Sequence, residues 1–418
     1  MKNLVWAFKN LFRNLKRTLV TSLALIFGFV GLVLIGGYIY RVERFIYTQT
    51  IYTNQSGHLT ITKKGGFEGF SQTPNKFILS NHTVSELESY LKKLEEVSFV
   101  GKKITGVGLV SSGEVSIPFI AEGYDEEERK FICVHPLVRK WNNEYIDPGC
   151  EIDFQKNEIT ITSNLARSLQ LKGEEKSLEL VARTFDGYLN GTSANLKAFH
   201  STGHVFIEDN SLRASNEVLK ELYHTSGFWR LQVYLKKVSE LDKVKAKISS
   251  KFPNLEVLTF KENGNDSLYK GMISFLFVMG VFFLFLILGT VILALVNSIT
   301  ITILERSKEL GTLRSIGFSS EQISKVLAIE ALLIGIVSSF LGIIISYFVS
   351  FFVNSMNFRL RPINTPRDIQ FVISPTGGLI LFLVSLFIVL TYWVSLWVCK
   401  KTLKNKIIEL LNDSGSRK

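Results

Sequence analysis

The sequence predicts an α-helical membrane protein with four transmembrane helices and a large α+β extracytoplasmic domain inserted between helices one and two. Three observations carry that prediction. The 418-residue chain is 46% hydrophobic and holds 32 Phe. It contains four uncharged apolar runs, residues 18–40, 271–304, 331–358 and 369–399, each longer than the roughly 20 residues that cross a bilayer. Between the first two runs lies a segment, residues 41–270, of ordinary soluble composition and large enough for its own core.

Taken in order, residues 1–17 read as a basic amphipathic helix. Trp6, Leu11 and Leu15 suit the interface, and Lys2, Lys9, Arg13, Lys16 and Arg17 suit anionic headgroups. The run 18–40 is of span length, is followed by Arg41 and Arg44, and lacks a small-x-small cleavage site, so it reads as a retained first span. Residues 41–270 form the outer domain, 271–304 the second span, 305–325 a charged loop, 326–353 the third span, 354–377 an outer loop, 378–399 the fourth span and 400–418 a tail. Four spans put both termini on one side. Lys and Arg crowd the N-terminus, the 305–325 loop and the tail, and are fewer between spans three and four, so the termini and that loop face the cytoplasm. The net charge of +11 is thereby directed at headgroups, and no nucleic-acid partner is expected.

The outer domain shows alternating helix and strand signals. Residues 46–55 and 58–63 read as a strand pair around Ser56-Gly57, and Thr83 with Glu86 as a capping box for a helix to about residue 97. Strand-like runs follow at 102–110 and 114–121. Ser163 is placed to cap a short helix, and 177–184 and 204–208 look like strands. The last third reads helix 211–223, strand 229–235, helix 240–252, strand 255–260, a helix-on-sheet order.

Chemistry-bearing motifs are few. There is no G-x-x-x-x-G-K-[ST] loop, no H-E-x-x-H and no nucleophile elbow. No catalytic residue, metal or cofactor is therefore expected in this chain. His200 and His204 are four apart, but Gly203 argues against one helical face. Asp125, Glu126, Glu127 and Glu128 read as a solvated loop or a helix start rather than a cation site. Glu330 lies close to the cytoplasmic start of span three, where interfacial placement outweighs a proton relay. Cys133 and Cys150 both fall in the outer domain, where an oxidising compartment permits a bridge; two buried free thiols are the alternative.

Residues 305–317, ERSKELGTLRSIG, stand apart from the rest. The stretch opens with charges and becomes amphipathic, Leu310, Leu313 and Ile316 falling on one helical face. Gly317 is placed as a left-handed cap, and Ser319 with Gln322 as a capping box for the next helix. A short amphipathic helix held between two spans is a handle for another protein.

The run Glu305, Arg306, Ser307, Lys308, Glu309, Leu310, Gly311, Thr312, Leu313, Arg314, Ser315, Ile316, Gly317 resembles the signature loop of FtsX/MacB/LolC-type permeases of ABC transporters. The order of one span, a large outer domain and three spans is similar to that family as well. Residues 56–61, 121–125 and 165–172 resemble its MacB-like periplasmic core, and 404–411 its basic ending, without the proline and alanine of the family's close. The resemblance implies a non-catalytic permease subunit of a bacterial inner (cytoplasmic) membrane. Its coupling helix would comprise Glu305, Arg306, Glu309, Leu310, Gly311, Leu313, Arg314, Ile316 and Gly317, docking on a separate ABC-type ATPase that binds ATP and Mg. On that reading Glu305, Arg306, Glu309 and Arg314 meet the ATPase at the rim, and Leu310, Leu313 and Ile316 fill its groove.

The resemblance also implies pairing with a second permease copy or paralogue, and work with a periplasmic chaperone or adaptor. Lipoprotein release is the first expectation, with acyl chains against the Phe-rich second span (Phe275, Phe277, Phe282, Phe283, Phe285). MacB-like efflux of a drug, peptide or toxin and FtsX-like signalling to a cell-wall hydrolase are the alternatives.

Overall fold

A computed structural model describes residues 15–141, 157–171, 177–202, 207–262, 266–360 and 368–405. In chain order it begins with helix α1 (Leu15–Thr48), continued as a π-turn over Gln49–Thr53, and strand β1 (Leu59–Lys63). Helices α2 (Gly66–Gly69), α3 (Pro74–Phe77) and α4 (Asn81–Leu91) precede β2 (Val97–Lys103), β3 (Thr105–Ser111) and β4 (Ser116–Tyr124). Then come α5 (Glu126–Val134), α6 (Pro136–Trp141), β5 (Glu158–Thr162), α7 (Ser163–Ser168), β6 (Ser177–Arg183), β7 (Leu189–His200) and β8 (Ser211–Ser215). The chain continues through α8 (Asn216–Leu222), β9 (Arg230–Leu235), α9 (Leu241–Lys251), β10 (Leu255–Thr259) and α10 (Asp266–Glu305). It closes with α11 (Ser307–Ser315), α12 (Ser320–Ser355), the two-residue strands β11 (Arg359–Leu360) and β12 (Ile369–Gln370), and α13 (Gly377–Asn405).

The chain divides into two compact units, one comprising residues 1–42, 274–358 and 371–418 and the other 43–273 with 359–370. Among the described residues four helices are long and apolar enough to cross a membrane, over Thr18–Thr53, Tyr269–Glu305, Ser320–Ser355 and Gly377–Leu403. Within the first unit their core is Leu25, Phe29, Val33, Val291, Leu295 and Phe387, with Phe29 edge-on to Phe387 at 5.3 Å. Small residues let the helices approach, because lipid offers no hydrophobic drive to hold them together. Gly335, Ser338, Ser339, Gly342, Ser346 and Ser350 form the buried side of α12. A Cβ on Gly342 would come within 2.7 Å of Phe29, and one on Gly335 within 2.6 Å of Thr391.

The second unit is the α+β domain. Its first part is an antiparallel sheet in the order β10-β1-β9-β2. Leu87 and Leu91 of α4 and Val244 and Ile248 of α9 join Leu59, Ile61, Leu231 and Val233 in one apolar core. Its second part is a closed six-stranded barrel, β3-β4-β8-β5-β7-β6, in which β4 pairs with β8 and β5 with β7 in parallel.

Several expectations are corrected. Residues 46–55 are no strand: α1 runs on to Thr48 and a π-turn follows. Extending an existing helix adds a hydrogen bond per residue, so the β-branched and aromatic residues here do not switch the backbone to a strand. The helix after residue 80 is capped by Ser80, whose hydroxyl accepts from the Thr83 N–H, and it ends at Leu91. Thr162, not Ser163, caps α7. The span 211–223 divides into β8 and α8, with Ser215 as the cap between them. Residues 204–206 of the expected 204–208 strand, most of the 1–17 helix and the end of the 400–418 tail lie outside the described residues, and Ile207 and Glu208 form a turn and no strand.

Candidate functional site

The 305–317 stretch forms a short helix between two long ones. Helix α10 ends at Glu305, Arg306 leaves helical geometry with φ −98° and ψ 16°, and α11 restarts at Ser307. Its far end is closed by two backbone bonds, Gly317 N–H to Arg314 C=O at 3.0 Å and Phe318 N–H to Leu313 C=O at 3.1 Å. That pattern is a Schellman motif, and it requires a left-handed residue; Gly317 supplies φ +105°. The next helix opens with a reciprocal capping box. The Gln322 N–H donates to Ser319 Oγ at 3.2 Å, and the Ser319 N–H to Gln322 Oε1 at 2.9 Å. Both caps were legible in the sequence.

The orientation of the helix divides the expected docking residues into two groups. Arg306 is buried, its Nη1 donating to both carboxylate oxygens of Glu330 on α12 at 3.3 and 3.1 Å and its Nε to Glu309 at 3.2 Å. Glu330 is only 7% exposed. Leu310 is buried among Ile303, Ile323, Leu327, Val398, Cys399 and Leu403, with Leu313 half-buried against the same cluster. Arg306 and Leu310 are thus directed into their own helical unit, which corrects the expectation that they line the handle's outer surface. Apolar periodicity alone cannot say whether a stripe faces its own bundle or a partner.

The other group faces outward. Ile316 is 71% and Phe318 48% exposed, and Glu305, Lys308, Glu309 and Arg314 are exposed as well. A Cβ on Gly311 would meet nothing within 4 Å, so no internal contact requires glycine there. Sequence reading missed Phe318, because it lies just past the helix end, and the inward role of Glu330. The handle is anchored at its base by a buried ion pair and a leucine, and presents an apolar tip.

The remaining singled-out residues lie in the α+β unit. Asp125 caps α5, accepting from the Glu127 N–H at 3.0 Å, and Glu126 pairs with Arg129 at 2.8 Å and Lys130 at 3.1 Å, so the acidic run is a helix start. Glu128 alone turns inward, accepting from the Tyr234 hydroxyl at 2.6 Å. Burial pushes its carboxyl up to about 7 against the pull of Lys103. The same burial lowers the Lys103 ammonium, which lies 3.5 Å from Glu122. His200 is buried, its Nε2 3.2 Å from Ser211 Oγ, and burial holds it well below the usual imidazole range; His204 lies outside the described residues. Among the described residues no three His, Cys, Asp or Glu side chains are grouped to hold a metal ion. Cys133 is disulfide-bonded, and Cys150, the partner expected from the sequence, lies outside the described residues.

Residues 281–401 match the FtsX-like permease C-terminal family. That match contains the handle, its anchor Glu330 and the last two spans. The chain is also similar to the ABC transporter permease YtrF of Bacillus subtilis (strain 168), with 32% identity over 117 residues. The aligned part covers 25% of this chain and 27% of that protein, about a quarter of the relative's length. Among solved structures, the extracellular domain of the ABC-type transporter YknZ from Gram-positive bacteria aligns at a TM-score of 0.30 and 10% identity, covering 44% of this chain and 90% of that one. The periplasmic region of MacB from Actinobacillus actinomycetemcomitans aligns at 0.30 and 8%, covering 52% and 93%.

Proposed function

We propose, from the premise that this chain is a multi-pass membrane permease of the FtsX/MacB type with its FtsX-like domain at residues 281–401, that it is the non-catalytic membrane subunit of an ATP-driven ABC transporter. A separate ATPase subunit would grip α11, and closure of two such subunits would move the handles of a permease pair. The observation that carries this reading is the form of the handle. Ile316 and Phe318 are exposed at the C-terminal end of the short helix and Glu305, Lys308, Glu309 and Arg314 are exposed on the same stretch, the mixture of apolar and charged surface that a protein interface uses. Open space over Gly311 suits a partner backbone approaching closely. The buried Arg306–Glu330 pair ties the base of the handle to α12, so a push on the tip reaches a span without being absorbed by a loose loop.

For the work performed, release of lipoproteins from the inner membrane is the reading we favour. In the helical unit the fully buried charges among the described residues are Arg306 and Glu330, both at the handle. Spans without further buried charge suit action on an outer-leaflet or outer substrate better than passage of a polar solute. The exposed Phe275, Phe277, Phe282 and Phe285 of α10 offer apolar surface for acyl chains or a second permease. In this arrangement the termini and handle face the cytoplasm and the α+β unit faces outward.

The test is affinity purification of the detergent-solubilised protein from its own cells, comparing wild type with Arg314→Glu and Ile316→Glu, followed by mass spectrometry. A P-loop ATPase that co-purifies with wild type and is lost from both variants supports docking; absence of any ATPase in mild detergent refutes it. Lipoproteins in the same eluate support release, whereas a periplasmic adaptor with no lipoprotein refutes it in favour of efflux.

A further inference from the structure

The outer surface of the barrel departs from the usual alternation of buried apolar and solvated polar residues along a strand. On β3 and β4 the register places Val107 opposite Ile120 and Leu109 opposite Pro118, and Leu109 also faces Val181 on β6. These are outward positions: Val107 is 67% exposed, and Leu109 and Ile120 are exposed too. With Leu189, 81% exposed, they border an apolar groove of about 470 Å³. A contiguous apolar stripe on a sheet face marks a binding surface.

The groove adjoins a larger cavity of about 900 Å³, and Val107, Ile120 and Arg183 line both. The larger cavity is walled by Phe70 and Phe185, whose rings lie 5.6 Å apart, edge to face. Its rim carries three cations, Lys63, Lys76 and Arg183, against one carboxylate, Asp186. Lys63 Nζ donates to the Lys76 C=O at 3.2 Å and Arg183 Nε to the Gly187 C=O at 3.1 Å, but none of the three forms an ion pair among the described residues. Asp186 accepts from the Asn75 amide at 2.5 Å. The charge left uncompensated is positive, and it stands where the apolar track ends.

We infer that this groove binds a single-tailed amphiphile with an anionic head. Its tail lies along Val107, Leu109 and Ile120, and its head meets Arg183, Lys63 and Lys76. Both compartments fall within the few hundred to about 1,000 Å³ usual for small-molecule sites. A tail on the outward stripe removes apolar surface from water on both sides. An anionic head gains charge-assisted hydrogen bonds from cations that lack a carboxylate partner, whereas a zwitterionic head presents its own ammonium to the same rim. This site lies within the α+β unit and does not depend on an ATPase partner.

The experiment uses the full chain in nanodiscs of zwitterionic phospholipid. Three photoreactive probes are compared: a sixteen-carbon carboxylate with a diazirine in its tail, the same tail on a phosphocholine head, and an acidic amphipathic peptide. Cross-linked peptides are mapped by mass spectrometry, and labelling of the spans serves as the internal control that the protein is folded and each probe reaches it. The carboxylate is expected to label residues 105–120 and 181–189. Labelling there should fall about tenfold or more in Lys76→Glu/Arg183→Glu and stay within about twofold in Lys76→Arg/Arg183→Lys. A Val107→Asp/Ile120→Asp variant should lose it while span labelling persists. The inference is overturned if the carboxylate labels only the spans, if the phosphocholine probe labels these strands equally, or if the acidic peptide labels them more strongly.

Discussion

Cutting the buried Arg306–Glu330 pair should loosen the handle far more than removing both charges together. Arg306 donates twice to Glu330, and both side chains are almost wholly inaccessible. Removing one member of such a pair costs about 3–5 kcal/mol, because the other charge stays buried, while replacing both by apolar groups of similar volume is near neutral. The bond from Arg306 to the exposed Glu309 adds under about 1 kcal/mol. Amide hydrogen exchange over residues 307–318 in nanodiscs reads this directly, since it reports local opening without requiring global unfolding. About 3 kcal/mol corresponds to roughly a hundredfold in an opening equilibrium. Arg306→Leu and Glu330→Leu should each speed exchange of α11 by about that factor, and the double variant should return to within about tenfold of wild type. If the double variant instead shows the product of the two single effects, the residues are not coupled and the pair does not anchor the handle.

Three further outcomes follow from the geometry. Glu128 holds its proton to about pH 7 in the folded protein, against an ordinary value of 4.5. The folded state therefore binds a proton over about pH 4.5–7 that the unfolded chain has released, and stability falls as pH rises through that window. Glu128→Gln should remove this dependence, so its thermal midpoint should gain on wild type between pH 5 and pH 8; an unchanged difference would contradict the assignment. Gly317→Ala forces a left-handed alanine at φ +105° and should cost about 1–2 kcal/mol, seen as roughly tenfold or faster exchange of the Gly317 and Phe318 amides. Gly342→Leu drives a side chain into Phe29 and should lower the thermal midpoint of the helical unit, at a cost of about 1–3 kcal/mol, while a neutral result would mean that the helices separate freely there.

The spans were legible because apolar length is a signal that no local preference masks, and the handle because caps and charge punctuate it. The barrel was not. Strand β7 has the inward positions Asn190, Thr192, Ala194, Leu196, Ala198 and His200, small or polar for the most part, so its alternation carries little hydrophobic contrast. Its parallel partner β5 is distant in sequence, and such pairing leaves no local trace. At residues 46–55 the β-branched and aromatic residues gave a strand signal, but they are buried at the end of a helix already formed upstream. At the site itself the sequence supplied the handle residues without their directions. Separating Arg306 and Leu310, turned inward, from Ile316 and Phe318, turned outward, required knowing where α12 and α13 pack. The apolar outer stripe of the barrel was equally hidden, since it depends on the register of β3 against β4 and β6.

The central claim is that the tip of the handle, and not its base, touches a P-loop ATPase. Site-specific photocrosslinking in intact cells tests it most directly, with a benzophenone amino acid placed singly at positions 310, 316 and 318. The account predicts crosslinks to an ATP-binding protein from 316 and 318 and none from 310, where Leu310 is buried in its own helical unit. Crosslinks from 310 as strong as those from 316, or none to an ATP-binding protein from either tip position, would contradict it.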